Sequence, residues 1–176
     1  MSLTRSLAVL LFLFLAAGPS ARADEAKDPL AVAAPLVGRW EADPDPKYPG
    51  ATGWTVFERA AQGHALLRKN HAQSPATKER PASAHDDVML LYAENGQLRA
   101  EYVDNEGHVI RYQVTAPSAS TLVFVSEAGG PGPRFRLTYS WPSKDRIELT
   151  FEIAPPGPAG EFKPYIQARL HRAAKS

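Results

Sequence analysis

The chain has 176 residues with 20 basic and 19 acidic side chains, five histidines and no cysteine. Near-neutral, interspersed charge leaves no electrostatic footprint for nucleic acid or an anionic membrane. The absence of thiols excludes disulfides, a cysteine-linked lipid anchor, a thiolate nucleophile and a cysteine-based metal site.

Arg5 precedes an unbroken apolar run, Leu7–Ala17, which Gly18 and Pro19 end, and Ala21-Arg22-Ala23 fits a small-residue cleavage site. A basic start, a short apolar stretch and such a site make a signal peptide. The run of eleven residues is too short for a spanning helix, which needs about 20. Residues 1–23 are therefore expected to be cleaved, with the mature chain starting near Asp24 in the periplasm or outside the cell, without a membrane anchor. Cleavage takes Arg5 and Arg22 away, leaving 18 basic against 19 acidic groups. The remainder, 24–176, has the size of one domain with a substantial core.

Ala26 to Leu36 reads as a short helix. Asp28 suits its N-cap and Pro29 its first position, while Pro35 closes it. Leu30 and Leu36 are placed to plug an apolar opening. Beyond it the helical period disappears, and short alternating segments separated by turn residues predict ten strands. They fall near 37–42, 52–59, 63–70, 87–93, 97–104, 108–115, 120–127, 134–141, 145–153 and 162–171.

The turns specify hairpins. Asn95-Gly96 suits a type I′ turn, because both residues tolerate positive φ. Asn105-Glu106-Gly107 suits a three-residue turn, and Pro142 to Lys144 makes another tight connection. Phe135, Leu137, Tyr139 and Trp141 alternate with polar residues, as do Ile147, Leu149, Phe151 and Ile153 on the next strand. This register sets arginines near glutamates on what is expected to be a solvated outer face. Val88 to Tyr92 and Leu122 to Val125 are apolar on both faces, so their outer side should pack against something, a helix or a partner chain included. Ala72 to Ala84 reads as a long loop, and Gly129–Pro133 and Pro155–Gly160 as Pro/Gly loops.

Sequential antiparallel strands remove their edges by closing. The expected fold is an all-β, antiparallel up-and-down barrel of about ten strands with a short N-terminal helix; a two-sheet sandwich is the rival. Gly38-Arg39-Trp40, at the start of the first strand and just after the helix, resembles the G-x-W signature of calycin-type barrels, the lipocalin-like and nitrobindin-like proteins. The resemblance implies an arginine from the last strand packed over Trp40. Arg169 is preferred over Arg172 for this. Apart from any family, a tryptophan beside a glycine at a strand start is a core anchor.

Candidate chemistry is sparse. Nitrobindin-like barrels carry a haem-ligating histidine in the final strand, and that position falls near Tyr165 here, with His171 further along. No cofactor is expected on this basis, since the family's glycine-rich continuation is replaced by Glu41-Ala42-Asp43-Pro44. In His85-Asp86-Asp87 only His85 and Asp87 can converge, because strand neighbours point oppositely. No histidine spacing fits a zinc or calcium site, and no nucleophile elbow or phosphate loop is present.

The aromatic residues offer more. Trp54, Tyr92, Tyr102, Tyr112, Phe124, Phe135 and Tyr139 come from successive strands. They either fill the core or line a cavity for a small organic ligand. Arg68 and Arg111 could reach a carboxylate if they face inward. Two functions compete: an exported barrel that holds a small hydrophobic or amphipathic molecule, and a barrel enzyme of isomerase or lyase type. A filled structural or interaction domain is a third.

Overall fold

A computed structural model describes residues 28–127, 131–157 and 160–174. The expected signal peptide and the first two residues of the expected helix, Ala26 and Lys27, lie outside the described residues.

The helix runs over Pro29–Leu36. The Leu30 amide donates to Asp28 Oδ1 at 2.8 Å, so Asp28 is the cap. The turns are 3-10 rather than α; Pro35 inside it has no N–H to give, and short 3-10 stretches suit connectors. Leu30, Ala33 and Leu36 are buried and stopper one end of the barrel.

Ten strands follow: β1 (Gly38–Ala42), β2 (Thr52–Ala60), β3 (Ala65–Ser74), β4 (Ser83–Glu94), β5 (Gln97–Asp104), β6 (Val109–Ser118), β7 (Thr121–Ser126), β8 (Arg134–Ser143), β9 (Arg146–Ala154) and β10 (Lys163–Arg172). Each pairs antiparallel with its sequence neighbour, and β10 returns to β1 with Trp40 opposite Arg172. The sheet is a closed up-and-down barrel. Asn95 and Gly96 have φ of 51° and 75°, as the two-residue turn between β4 and β5 requires.

Two expectations about the outside change. The β3–β4 ladder continues out to Ser74 opposite Ser83, so the expected 72–84 loop shrinks to its tip. Gln73 is held to Thr52 at 3.1 Å, and His71 lies 2.8 Å from Asp86, which carries the ladder beyond the apolar residues. The outer face of β8 and β9 is also not simply solvated. Phe162 lies over the guanidiniums of Arg134 and Arg136, at 5.1 and 4.5 Å from its ring centre. Beneath it Arg136 Nη2 donates to Glu152 Oε1 at 2.7 Å, and Glu152 is only 9% exposed. The register of arginine against glutamate is as expected; the cover over it is supplied by the segment leading into β10.

The interior is filled from the helix end to about its middle. Phe57, Tyr112, Phe124 and Tyr139 are almost wholly buried. Edge-on contacts link Phe57 to Tyr139 at 5.5 Å, Tyr139 to Phe124 at 6.2 Å and Phe124 to Tyr112 at 6.1 Å. These pack as aromatic pairs do in a dry core.

Candidate functional site

At the stoppered end Trp40 is fully buried and its indole N–H donates to the Leu36 carbonyl at 2.7 Å. The Arg172 guanidinium sits 4.0 Å from its ring centre. Arg172 also donates to Val37 O, Pro35 O and Lys144 O at 2.9 to 3.2 Å, tying the helix, β1 and the β8–β9 turn together. Gly38 has φ of 122°, and a Cβ there would stand 2.9 Å from Arg172 Nη1. The positive φ calls for glycine, and a side chain there would push on the Arg172 guanidinium. The preference for Arg169 is corrected here. Arg169 pairs with Glu148 across the β9–β10 ladder and points outward, with its side chain 79% exposed. Arg172 lies opposite Trp40 and shares its face.

The middle of the lumen carries a buried charge. Arg68 on β3 donates to Asp87 on β4 and, at 2.5 Å, to the Tyr139 hydroxyl on β8. Since β3 and β8 stand on opposite sides of a ten-strand ring, this bond spans the barrel. Burial works against the Arg68 charge, but Tyr139 and Asp87 outweigh it and its pKa rises. Its Nε has no hydrogen-bond partner among the described residues. Asn70 Nδ2 donates to the second Asp87 oxygen at 3.0 Å.

Above this floor, away from the helix, a hydrogen-bond relay lines β4 to β6. His85 Nε2 is 3.0 Å from the Tyr102 hydroxyl, which donates to Asp104 Oδ2 at 3.1 Å. Tyr102 has a single proton and gives it to Asp104, so His85 Nε2 is the donor to the hydroxyl. His108 Nδ1 lies 2.9 Å from the same Asp104 oxygen. Burial pushes the Tyr102 pKa up, keeping it a neutral hydroxyl. Burial also opposes the Asp104 charge, yet hydrogen bonds from the backbone and ring of His108, from Tyr102 and from the Glu106 amide hold its pKa below the usual carboxylate value. Asp87 and Asp104 are direct cross-strand neighbours. Like charges so placed repel, and Arg68, Asn70, Tyr102 and His108 offset this.

The opposite wall, from β8 to β10, is apolar. Phe135 and Phe151 stack at 5.8 Å, and Tyr165 meets Phe151 edge-on at 6.4 Å. Ile166 pairs with Phe151 on the same face and is 48% exposed. Phe135, Leu149 and Phe151 are half-buried against the core. The end of the barrel away from the helix, its mouth, therefore has one hydrogen-bonding wall and one aromatic wall, with the Arg68–Tyr139 bridge below.

The sequence-predicted aromatic set divides. Tyr102 is at the mouth; Tyr112, Phe124 and Tyr139 fill the lumen beneath it. Trp54 and Tyr92 face outward and cannot line the interior. Trp54 stacks on His71 at 5.9 Å with Arg39 over its ring, and Tyr92 belongs to the outer phase of β4, opposite to buried Met89 and Leu91. Arg68 faces inward, whereas Arg111 is outside beside Glu101. His85 and Asp87 converge to 3.5 Å, while Asp86 turns away to His71. Asn70, Asp104, His108, Phe151 and Ile166 were not singled out from sequence.

The residues do not fit a haem. Tyr165 is 66% exposed at a β10 irregularity, His171 is held 2.7 Å from Asp43, and the lumen below the mouth is occupied by side chains. Among the described residues no group of three histidine, aspartate or glutamate side chains is arranged to hold a metal. Two concavities lie outside the lumen. One of about 530 Å³ lies between the helix and the β4–β5 turn, and one of about 440 Å³ lies beside Gly50 and the β3–β4 tip. Neither is lined by an aromatic residue, and Asp28 is the sole ionisable group in either, so neither supplies recognition chemistry.

The acid–histidine pairs give the protein two pH windows. On the outer surface the Asp86 hydrogen bond, the largest contribution, raises the His71 pKa above 6.5 against the opposing effect of burial. A raised histidine stabilises below its unfolded value, and that stability is lost as pH rises through the folded value. The lowered Asp104 stabilises above its unfolded value, and that stability is lost as pH falls through the folded one. Urea midpoints measured against pH should therefore fall on both sides of a mildly acidic maximum. His71→Gln should flatten the neutral side alone, and His108→Gln, which removes a hydrogen bond that lowers the Asp104 pKa, should flatten the acid side.

No protein-family model and no curated protein sequence matches the chain. What the fold and site define is a closed ten-stranded antiparallel β-barrel with an N-terminal stopper and an amphipathic mouth.

Proposed function

We propose that this chain is an exported, calycin-like barrel that binds a small amphipathic molecule in its open mouth. The carrying observation is the opposition of the two walls: His85, Tyr102 and Asp104 on one side, Phe135, Phe151 and Ile166 on the other. An apolar body packs on the aromatic wall and a polar head meets the relay. Arg68 is paired with Asp87, and Asp104 is held by hydrogen bonds from His108 and Tyr102. An anionic head would face these carboxylates and a cationic one Arg68, so the favoured head is an uncharged hydroxyl or carbonyl. The filled lumen makes this a shallow site rather than a deep one. Support for the calycin-like reading comes from Gly38 and Trp40 capped by Arg172 of the last strand. The N-terminal signal pattern supports export.

Native mass spectrometry of protein purified from its own host should find the mature chain, starting near Asp24, with a small organic molecule bound. A bare chain under conditions that preserve other non-covalent complexes would contradict the binding reading, and an uncleaved N-terminus would contradict export. A catalytic reading of the same mouth rests on His85, whose Nε2 bonds to Tyr102 and whose Nδ1 lies 3.5 Å from Glu106. It requires the bound molecule to leave chemically altered, and His85→Asn to stop the change without stopping binding.

A further inference from the structure

Along the hydrogen-bonding wall of the mouth, donors and acceptors are unequally spent. His85 Nε2 gives its hydrogen to the Tyr102 hydroxyl, and Tyr102 gives its own to Asp104. His108 Nδ1 faces the Asp104 carboxylate, which only accepts, so it too is a donor already used. Deeper down, Asn70 Nδ2 is bound to Asp87 in the row below His85, and the unpartnered Arg68 Nε is buried out of reach. Asp104 is full as well. Its Oδ2 accepts from Tyr102 and His108, and its Oδ1 accepts the amides of Glu106 and His108 at 3.0 and 2.9 Å.

Glu106, on the β5–β6 turn at the lip of this wall, is different. Nδ1 of His85 and Nδ1 of His108 stand off from its carboxylate at 3.5 and 3.8 Å, longer than a well-formed hydrogen bond. Its side chain is 58% exposed, so a ligand can replace the water that reaches it. The backbone beneath it is fixed. Asn105 clamps the turn to β4: its amide donates to Asp86 O at 2.9 Å, its side-chain oxygen accepts from the Asp86 amide at 3.0 Å, and its Nδ2 donates to Ala84 O at 3.3 Å. A turn ordered before binding lowers the cost of binding.

We propose that the molecule bound in the mouth presents a hydroxyl that donates to Glu106, which makes Glu106 the residue that selects an alcohol or phenol over a ketone, ester or ether. This rests on the reading of the mouth as a binding site. A carbonyl or ether oxygen brought to the wall would meet lone pairs, those of Glu106 and the one that Tyr102 has left. A hydroxyl turns its hydrogen to the carboxylate, and hydrogen bonds to a charged acceptor are among the stronger kinds. Its apolar body still lies on Phe135 and Phe151.

Three probes with one naphthalene body test this by calorimetry at neutral pH: a naphthol, and the methoxynaphthalene and acetylnaphthalene substituted at the same carbon. The naphthol should bind about tenfold or more tighter than either of the others. Glu106→Gln should cut that preference severalfold and Glu106→Ala should abolish it. Both should leave the circular dichroism and the affinity for methoxynaphthalene unchanged, since Glu106 is exposed on a turn. Equal affinity for the three probes, or a preference that survives Glu106→Ala, would overturn the proposal and leave the mouth as a binding site. Failure of all three to bind would overturn that reading, and the proposal with it.

Discussion

Replacing Arg68 with methionine should destabilise the protein by roughly 3–5 kcal/mol, the cost of leaving a buried charge without its partner. Asp87 loses its guanidinium, stays buried and faces Asp104 across the ladder. The lumen also loses its cross-barrel bond to Tyr139. Arg68→Met combined with Asp87→Asn should recover more than half of the loss, because the amide keeps its contact with Asn70 and sheds the charge. Equilibrium urea unfolding of the two single variants and the pair would measure this. A loss near zero for Arg68→Met, or a double variant worse than the sum of the singles, would mean that the pair does not hold the barrel. Buried ion pairs are poor sources of net stability. The account therefore concerns the cost of breaking the pair, not its worth against an apolar substitute.

The second large effect is at the other end of the barrel. Trp40→Ala should cost roughly 3–5 kcal/mol, as expected for emptying a fully buried tryptophan site. Arg172→Ala should cost about 2 kcal/mol, from the cation–π contact and the hydrogen bonds to three carbonyls. Arg172→Lys should not rescue it, since an ammonium cannot reproduce the planar fork. Arg169→Ala should stay within about 0.5 kcal/mol of the parent, like other exposed substitutions. These variants, compared by urea midpoint, decide which arginine closes the barrel. Equal losses for Arg169 and Arg172 would remove the physical reason given for Gly38.

The strand order and most turns are legible in the residues, because Asn95-Gly96 and Asn105–Gly107 specify tight connections and β8 and β9 alternate cleanly. Helix capping by Asp28 was equally readable. The facing of several strands was not. In β2, Trp54 and Val56 compete with Thr55 and Phe57; in β4, Val88 and Leu90 compete with Met89 and Leu91. With apolar residues in both phases, alternation does not say which side is the core, so Trp54 and Tyr92 were placed inside although they lie outside. Arg172 lies over Trp40 because it shares the phase of buried Leu170, whereas counting alternation from the start of β10 is upset by the irregularity between Pro164 and Ile166. The buried network did leave a trace. Arg68 shares its phase with Leu66 and Asn70, and Asp87 with Met89 and Leu91. A cation and an anion in the apolar phase of adjacent strands are the signature of a paired interior charge. General preference for solvated arginine concealed it.

The central claim is that the mouth, with its aromatic wall, is the binding site. Its most direct test is titration with an uncharged, environment-sensitive naphthalene dye, comparing the parent with Phe151→Ser inside the mouth and Tyr92→Ser on the outer face. The account predicts enhanced fluorescence with the parent, a loss of affinity of about tenfold or more for Phe151→Ser, and no change for Tyr92→Ser. A parent that leaves the dye dark, or two variants that weaken binding equally, would contradict it.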